Sequence, residues 1–240
     1  MVAAYVAALS QALTADRLGA YRPPGGDDLA MVTTYHWNVC LFRELYPSLG
    51  ALEIAMRNGI HGALTARFGV PGWYDTPRLL APREQRHVDD AKRDIARTGK
   101  QVVPGRVVAA LRFGFWTSIL DRAYGNAIWT PNNPAVLVQQ AFPFAPPHFQ
   151  VRARAHDRFN TIRQLRNRVF HYEPIWRGIV LQNNRSVSLL DVHTDILDAI
   201  GWVSPTLQAT TVAFDRFPNV YQHGRIMVGW NLKQQLGLPI

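Results

Sequence analysis

A single cysteine, Cys40, stands among 240 residues, so an internal disulfide framework and a cysteine-rich zinc site are both excluded. Its neighbours Trp37, Val39, Leu41 and Phe42 are apolar, and it reads as a buried structural thiol rather than a nucleophile. No run approaches the length of about 18 apolar residues that a membrane-spanning helix needs. The eight histidines show no metal-ligand spacing of the His-Glu-x-x-His kind. The serines sit in no nucleophile elbow, and there is no Walker or Gly-x-Gly-x-x-Gly loop. β-branched runs such as Ile179-Val180 are few and short, which leaves no material for a sheet of any size. The opening stretch Met1 to Leu13 lacks the cationic lead of a signal peptide. Tyr5, Leu9 and Leu13 recur there at helical spacing, and Asp16 and Arg17 follow, as in an amphipathic first helix. The expectation is a cytoplasmic protein without a membrane segment or cofactor.

Acidic side chains are in short supply. Lys and Arg number 26 against 17 Asp and Glu, giving a net charge of +9 and a pI near 10.2. Such a balance points to a polyanionic partner, either nucleic acid or an anionic membrane surface. The charge is concentrated. Residues 151–180 hold seven arginines (Arg152, Arg154, Arg158, Arg163, Arg166, Arg168 and Arg177) against Asp157 and Glu173, a local +5. Arginine is the side chain suited to forked phosphate contacts, although the same stripe is also what a solvated helix face looks like.

Periodicity is helical nearly throughout, and the expected class is all-α, a single helical domain over 1–240. Helices are expected at 3–15, 27–46 (opened by Asp27 or Asp28), 49–68 (closed by Gly69), 82–98 (closed by Gly99), 105–124 (opened by Pro104) and 134–141. A long basic helix spans about 147–173, with Phe149, Arg152 or Ala153, Phe159, Ile162, Leu165, Val169 and Phe170 facing inward and Pro174 ending it. Further helices are expected at 191–202 and 206–217, with 225–240 unassigned. A proline-rich stretch at 129–148 carries Pro131, Pro134, Pro143, Pro146 and Pro147.

The chemistry concentrates at Arg166-Asn-Arg-Val-Phe-His171. Asn167 and His171 are four apart and share a helix face. Arg166 lies about 140° around the helix from His171, within the swing of a long side chain. An imidazole near a helix C-terminus suits general acid–base work, and a neighbouring guanidinium suits a phosphate gaining charge. Those parts fit RNA cleavage by attack of a 2′-hydroxyl on the adjacent phosphorus. The plainer alternative is a helix-end histidine bonded to a carbonyl. Glu173 can hold the imidazole or cap the chain end, and Arg163, Arg168 and Tyr172 are candidates for supporting or RNA contacts.

The run Leu165-Arg-Asn-Arg-Val-Phe-His-Tyr-Glu-Pro-Ile175 resembles the signature of the Abi-like (abortive infection) proteins of bacteria, within the HEPN superfamily. Similar blocks are Tyr35-His-Trp-Asn38, Leu52-Glu-Ile-Ala-Met-Arg-Asn58 with His61, Phe68-Gly69 with Trp73-Tyr74, Pro104 to Trp116, and Ile200-Gly-Trp202. The resemblance spans roughly residues 30–220. It implies a HEPN-type helical bundle with additional helices, metal-independent endoribonuclease activity, and a phage-defence or toxin-like role. It carries over Arg166 and His171 as the catalytic pair, with Asn167 as a supporting polar group. An antitoxin protein or inhibitory RNA is a further implied partner. Many relatives carry a second histidine where this chain has Tyr172, so one chain offers a single motif imidazole. A homodimer with a shared cleft would supply both an acid and a base.

A second polar group, Glu53, Arg57, Asn58 and His61, falls along one expected helix beside an apolar stripe. Either these residues line the same cleft, or they form an internal network that packs helices, Glu53 pairing with an arginine. The cluster Phe113, Phe115 and Trp116 could stack bases or fill a core. Two other functions stay open: a non-catalytic RNA-binding module, and an enzyme acting on nucleotides.

Overall fold

The computed structural model describes residues 1–129 and 134–239. The chain is all-α: α1 (Val2–Leu13), α2 (Ala15–Gly19), α3 (Asp28–Phe68), α4 (Pro82–Arg97), α5 (Pro104–Ala110), α6 (Phe113–Ile119), α7 (Pro134–Ala141), α8 (Arg152–Phe170), α9 (Leu189–Val203), α10 (Pro205–Ala213) and α11 (Phe217–Gln235). A two-stranded antiparallel hairpin, β1 (Ile179–Val180) and β2 (Ser186–Val187), sits between α8 and α9. Pro131 lies outside the described residues. No described helix is long and apolar enough to cross a membrane.

The chain divides into two compact units. The first comprises 1–49, 164–194 and 213–240, the second 50–163 and 195–212. In the first, Leu18, Tyr21, Met31, Val32 and Leu232 form a buried cluster, with Tyr5, Leu9, Trp176 and Val228 packed around it. The Trp37 indole donates to the Val220 carbonyl at 2.8 Å, fastening α3 to α11. Gly178 enters β1 at φ +83°, where an added Cβ would lie 2.4 Å from the Val187 carbonyl oxygen, so only glycine fits. In the second unit, Phe142, Phe159 and Trp202 form a ring cluster with centroids 5.2–6.3 Å apart. Gly59 lets α3 meet α7 closely, since a Cβ there would lie 2.4 Å from the Ala141 carbonyl.

Several boundaries differ from the sequence expectation, each for a local reason. The helices expected at 27–46 and 49–68 are one helix of 41 residues. Pro47 removes one backbone bond from it, but Pro47 is exposed while Leu41, Leu45, Leu49, Leu52, Met56 and Ile60 keep an unbroken buried stripe. Asp27 is the residue that caps it, accepting the Ala30 N–H at 2.8 Å. The helix expected at 3–15 breaks at Thr14, whose φ of 65° is left-handed and whose hydroxyl caps α2 through the Arg17 N–H. The helix expected at 105–124 breaks at Leu111–Arg112, because side chains take over the freed groups: the nearby Trp116 indole donates to the Leu111 carbonyl, and the distant Glu53 accepts the Phe113 N–H. Residues 147–149 form a separate 3-10 turn ahead of α8. Cys40 is half-buried rather than enclosed.

Candidate functional site

Helix α8 buries Ala155, Phe159, Ile162, Leu165 and Val169, a stripe of three- and four-residue steps. Ala153 and Phe170, expected on that stripe, are exposed. Most of the arginine charge on this helix and just beyond it is engaged within the protein. Arg152 donates to the Leu120 carbonyl and Arg154 to that of His148. Arg158 pairs with Asp195 and lies 4.5 Å over the Phe149 ring, and Arg163 holds the Asn160 side chain at 2.7 Å. Arg177, past the helix end, donates to the Arg22 carbonyl at 2.9 Å. The basic stripe is therefore largely a packing device rather than a bare cationic face.

The helix end is different. Its last three turn bonds run His171 N–H to Asn167 carbonyl (2.9 Å), Tyr172 N–H to Val169 carbonyl (3.2 Å) and Glu173 N–H to Arg168 carbonyl (2.8 Å). The last two form a Schellman closure, in which one residue turns left-handed. That residue is Tyr172, at φ 57°. A side chain with a Cβ costs about 1–2 kcal/mol there, and glycine would cost far less. The conformation is held from outside. The Tyr172 carbonyl accepts from the Arg17 guanidinium at 2.7 Å and the Tyr21 hydroxyl at 3.3 Å. Burial pushes the Tyr21 hydroxyl above its usual pKa, with nearby Arg17 opposing, so it stays a donor.

Arg166 carries its guanidinium 4.1 Å over the ring of Phe170, which itself lies 5.7 Å from Tyr46. Asn167 is half-buried, and Arg168 is 3.9 Å from the Glu173 carboxylate. His171 is exposed, and among the described residues none bonds its imidazole. The segment beyond is pinned by a residue that spacing alone does not single out. Asn38, fully buried on α3, accepts the Ile175 and Trp176 N–H groups through one oxygen at 2.8 and 3.1 Å. Its only sequence signal was membership of the Tyr35–Asn38 block.

Arg166, Asn167, Arg168, His171, Tyr172 and Glu173 all belong to the first unit, whereas Arg163, Glu53, Arg57 and Asn58 belong to the second. In that second unit Glu53 sits at the start of α6, accepting the Phe113 N–H at 3.0 Å, and Arg57 donates to the Ala109 carbonyl at the end of α5. A carboxylate thus meets a helix N-terminus and a cation meets a C-terminus, each complementing the helix dipole. His61 accepts the buried Trp73 indole N–H at 3.1 Å through Nδ1, and Asn58 is exposed. Burial lowers the pKa of His61. Phe113, Phe115 and Trp116 are at most 1% exposed and pack as core, which corrects the base-stacking alternative.

Sequence reasoning missed one buried pair. His193 Nε2 lies 2.9 Å from Asp215 Oδ2, and its ring stacks on Phe217 at 4.3 Å. Burial lowers its pKa despite the carboxylate. The partners are far apart in sequence and no local pattern links them. Among the described residues no group of three or more metal-ligating side chains converges. No family model, curated protein or solved structure matches the chain.

Proposed function

We propose that this chain is an endoribonuclease of the Abi-like, HEPN type that works without a metal as an abortive-infection or toxin-like effector. The observation that carries the reading is the end of α8: an exposed imidazole, His171, on a strained turn, with the Arg166 guanidinium stationed over the adjoining Phe170 ring. His171 takes the proton from a ribose 2′-hydroxyl, and the oxygen attacks the neighbouring phosphorus. The P–O5′ bond breaks, the leaving 5′-oxygen receives a proton, and the products are a 2′,3′-cyclic phosphate and a 5′-hydroxyl. Arg166 stabilises the charge that builds on the phosphate oxygens, and Asn167, half-buried on the same turn, is the supporting polar group. One chain brings one motif imidazole, so base and acid come from two copies in a homodimer with a shared cleft. The effector acts in the cytoplasm and is held in check by an antitoxin protein or an inhibitory RNA.

A second reading has its own support. A catalytic base is usually oriented by a third group, and no described residue orients His171. That favours a non-catalytic RNA-binding module. His171→Ala separates the two. Cleavage predicts lost RNA cutting and lost toxicity with folding and RNA binding kept, and Arg166→Ala gives the same loss. Cutting undiminished in both variants overturns the proposal. A module predicts that His171→Ala changes little, whereas combined loss of Arg166 and Arg168 weakens binding and flattens its salt dependence.

A further inference from the structure

The strained tyrosine after His171 forms one wall of a cleft. Its volume is about 560 Å³, and its lining includes Leu13, Arg17, Tyr21, Tyr35, Phe42 and Tyr172. That size falls within the range of about 300–1,000 Å³ of small-molecule sites. Two of its walls are backbone outliers. Thr14, at φ 65°, turns the chain between α1 and α2, and Tyr172, at φ 57°, closes α8. Two left-handed residues bearing side chains at one cleft mark a place where the backbone is held for a reason other than its own comfort. The rings are arranged as walls. Tyr35 stands edge-on to Tyr21 at 5.2 Å, and Tyr172 stands edge-on to Phe42 at 6.4 Å.

The chemistry of the lining is selective. It contains four aromatic rings and one guanidinium, and no carboxylate. Arg17 spends one of its five N–H donors on the Tyr172 carbonyl. Aromatic faces take a flat π-system, and a cation in a lining that holds no carboxylate takes an anion. A nucleotide carries both.

We infer that this cleft is a base-binding subsite for the ribonucleotide adjoining the phosphate presented to His171. The base packs against the rings of Tyr172 and Phe42, and Arg17 meets a phosphate oxygen. The inference rests on the ribonuclease reading of His171 and adds to it the element that selects where the RNA is cut. Tyr172 is then a specificity residue. It occupies a position where glycine costs less, because glycine offers no ring.

The decisive variant is Tyr172→Gly. It relieves the left-handed strain and keeps the carbonyl that Arg17 and Tyr21 hold, so it folds; only the ring is lost. The probes are the four ribonucleoside 3′-monophosphates, titrated calorimetrically into wild type, Tyr172→Gly, Phe42→Ala and His171→Ala, with RNA cleavage measured alongside. At least one nucleotide should bind wild type, and the ranking of the four should be the same in His171→Ala. Tyr172→Gly and Phe42→Ala should weaken it by about 5- to 150-fold, the range for loss of one base-stacking ring. Tyr172→Gly should also raise KM for RNA and flatten the base preference at the cut, with melting temperature equal to or above wild type. No binding of any of the four to wild type overturns the inference, as does unchanged binding in a folded Tyr172→Gly. The two layers fail separately. Nucleotide binding that Tyr172→Gly abolishes in a protein that cuts no RNA overturns the cleavage reading and keeps the cleft. Cutting with unaltered KM and preference in Tyr172→Gly overturns the cleft and keeps the cleavage reading.

Discussion

Two polar clusters, alike as strings of letters, end up in opposite circumstances. In the second unit, Glu53 closes the start of α6, Arg57 closes the end of α5, and His61 takes the indole N–H of the buried Trp73. In the first unit, His171 is exposed on a turn whose left-handed residue is a tyrosine. Glu53, Arg57 and His61 are consumed by the fold, whereas His171 stands exposed beside a strained turn. Polar groups satisfied within the protein contribute stability, and strain kept at an exposed site calls for a functional reason.

The two histidines should respond to alanine in opposite ways. His171→Ala should lower RNA cleavage by about 10²- to 10⁴-fold, the usual contribution of a general acid–base group, while stability stays within about 0.5 kcal/mol as for other exposed sites. His61→Ala should do the reverse, leaving cleavage per folded molecule intact and costing about 1–3 kcal/mol for the orphaned indole N–H. Reversed outcomes in chemical denaturation and cleavage assays would exchange the roles of the two clusters.

Asn38→Ala should be the costliest for stability, about 2–4 kcal/mol, because two N–H groups beyond the motif lose their acceptor at once. A denaturation midpoint unchanged by this substitution would mean that the loop after His171 is held by something else. Glu53→Gln keeps an acceptor for the Phe113 N–H and loses the charge at the helix start, so at least about 0.3–1 kcal/mol is expected, with more on Glu53→Ala.

Acid should act through the buried set. Burial holds His36, His61 and His193 below their ordinary pKa in the folded chain, so folding favours their neutral forms. The stability they contribute is fully present above the unfolded histidine pKa of about 6.5 and is lost as pH falls through the lower folded values. Melting temperature should therefore drop between pH 7 and pH 5, and the drop should shrink in His61→Gln. A flat profile would place these imidazoles in water.

Much of the fold was legible because helices announce themselves locally. Gly69 and Gly99 end their helices at φ 72° and 70°, as their positions after an apolar stripe and a charged helical stretch suggested, and α4 lies within one residue of expectation. The gap expected between 46 and 49 is closed because the buried stripe continues past Pro47, and a proline's local cost does not interrupt it. The break at Leu111 was invisible for the opposite reason: Glu53, sixty positions away, accepts the Phe113 N–H that the break frees.

The sequence by itself determined the all-α class, the basic helix and the position of His171 at that helix's end, since these follow from periodicity, charge spacing and a proline. Tertiary structure decided what the polar residues do. Leu120 and Asp195, brought in by folding, engaged Arg152 and Arg158 of α8, and helix ends claimed Glu53 and Arg57. Arg17 and Tyr21 fixed Tyr172 in its strained turn from across more than 150 positions of chain. Hydrogen bonds and ring contacts depend on where the partner is, and a linear pattern carries no record of a partner that distant.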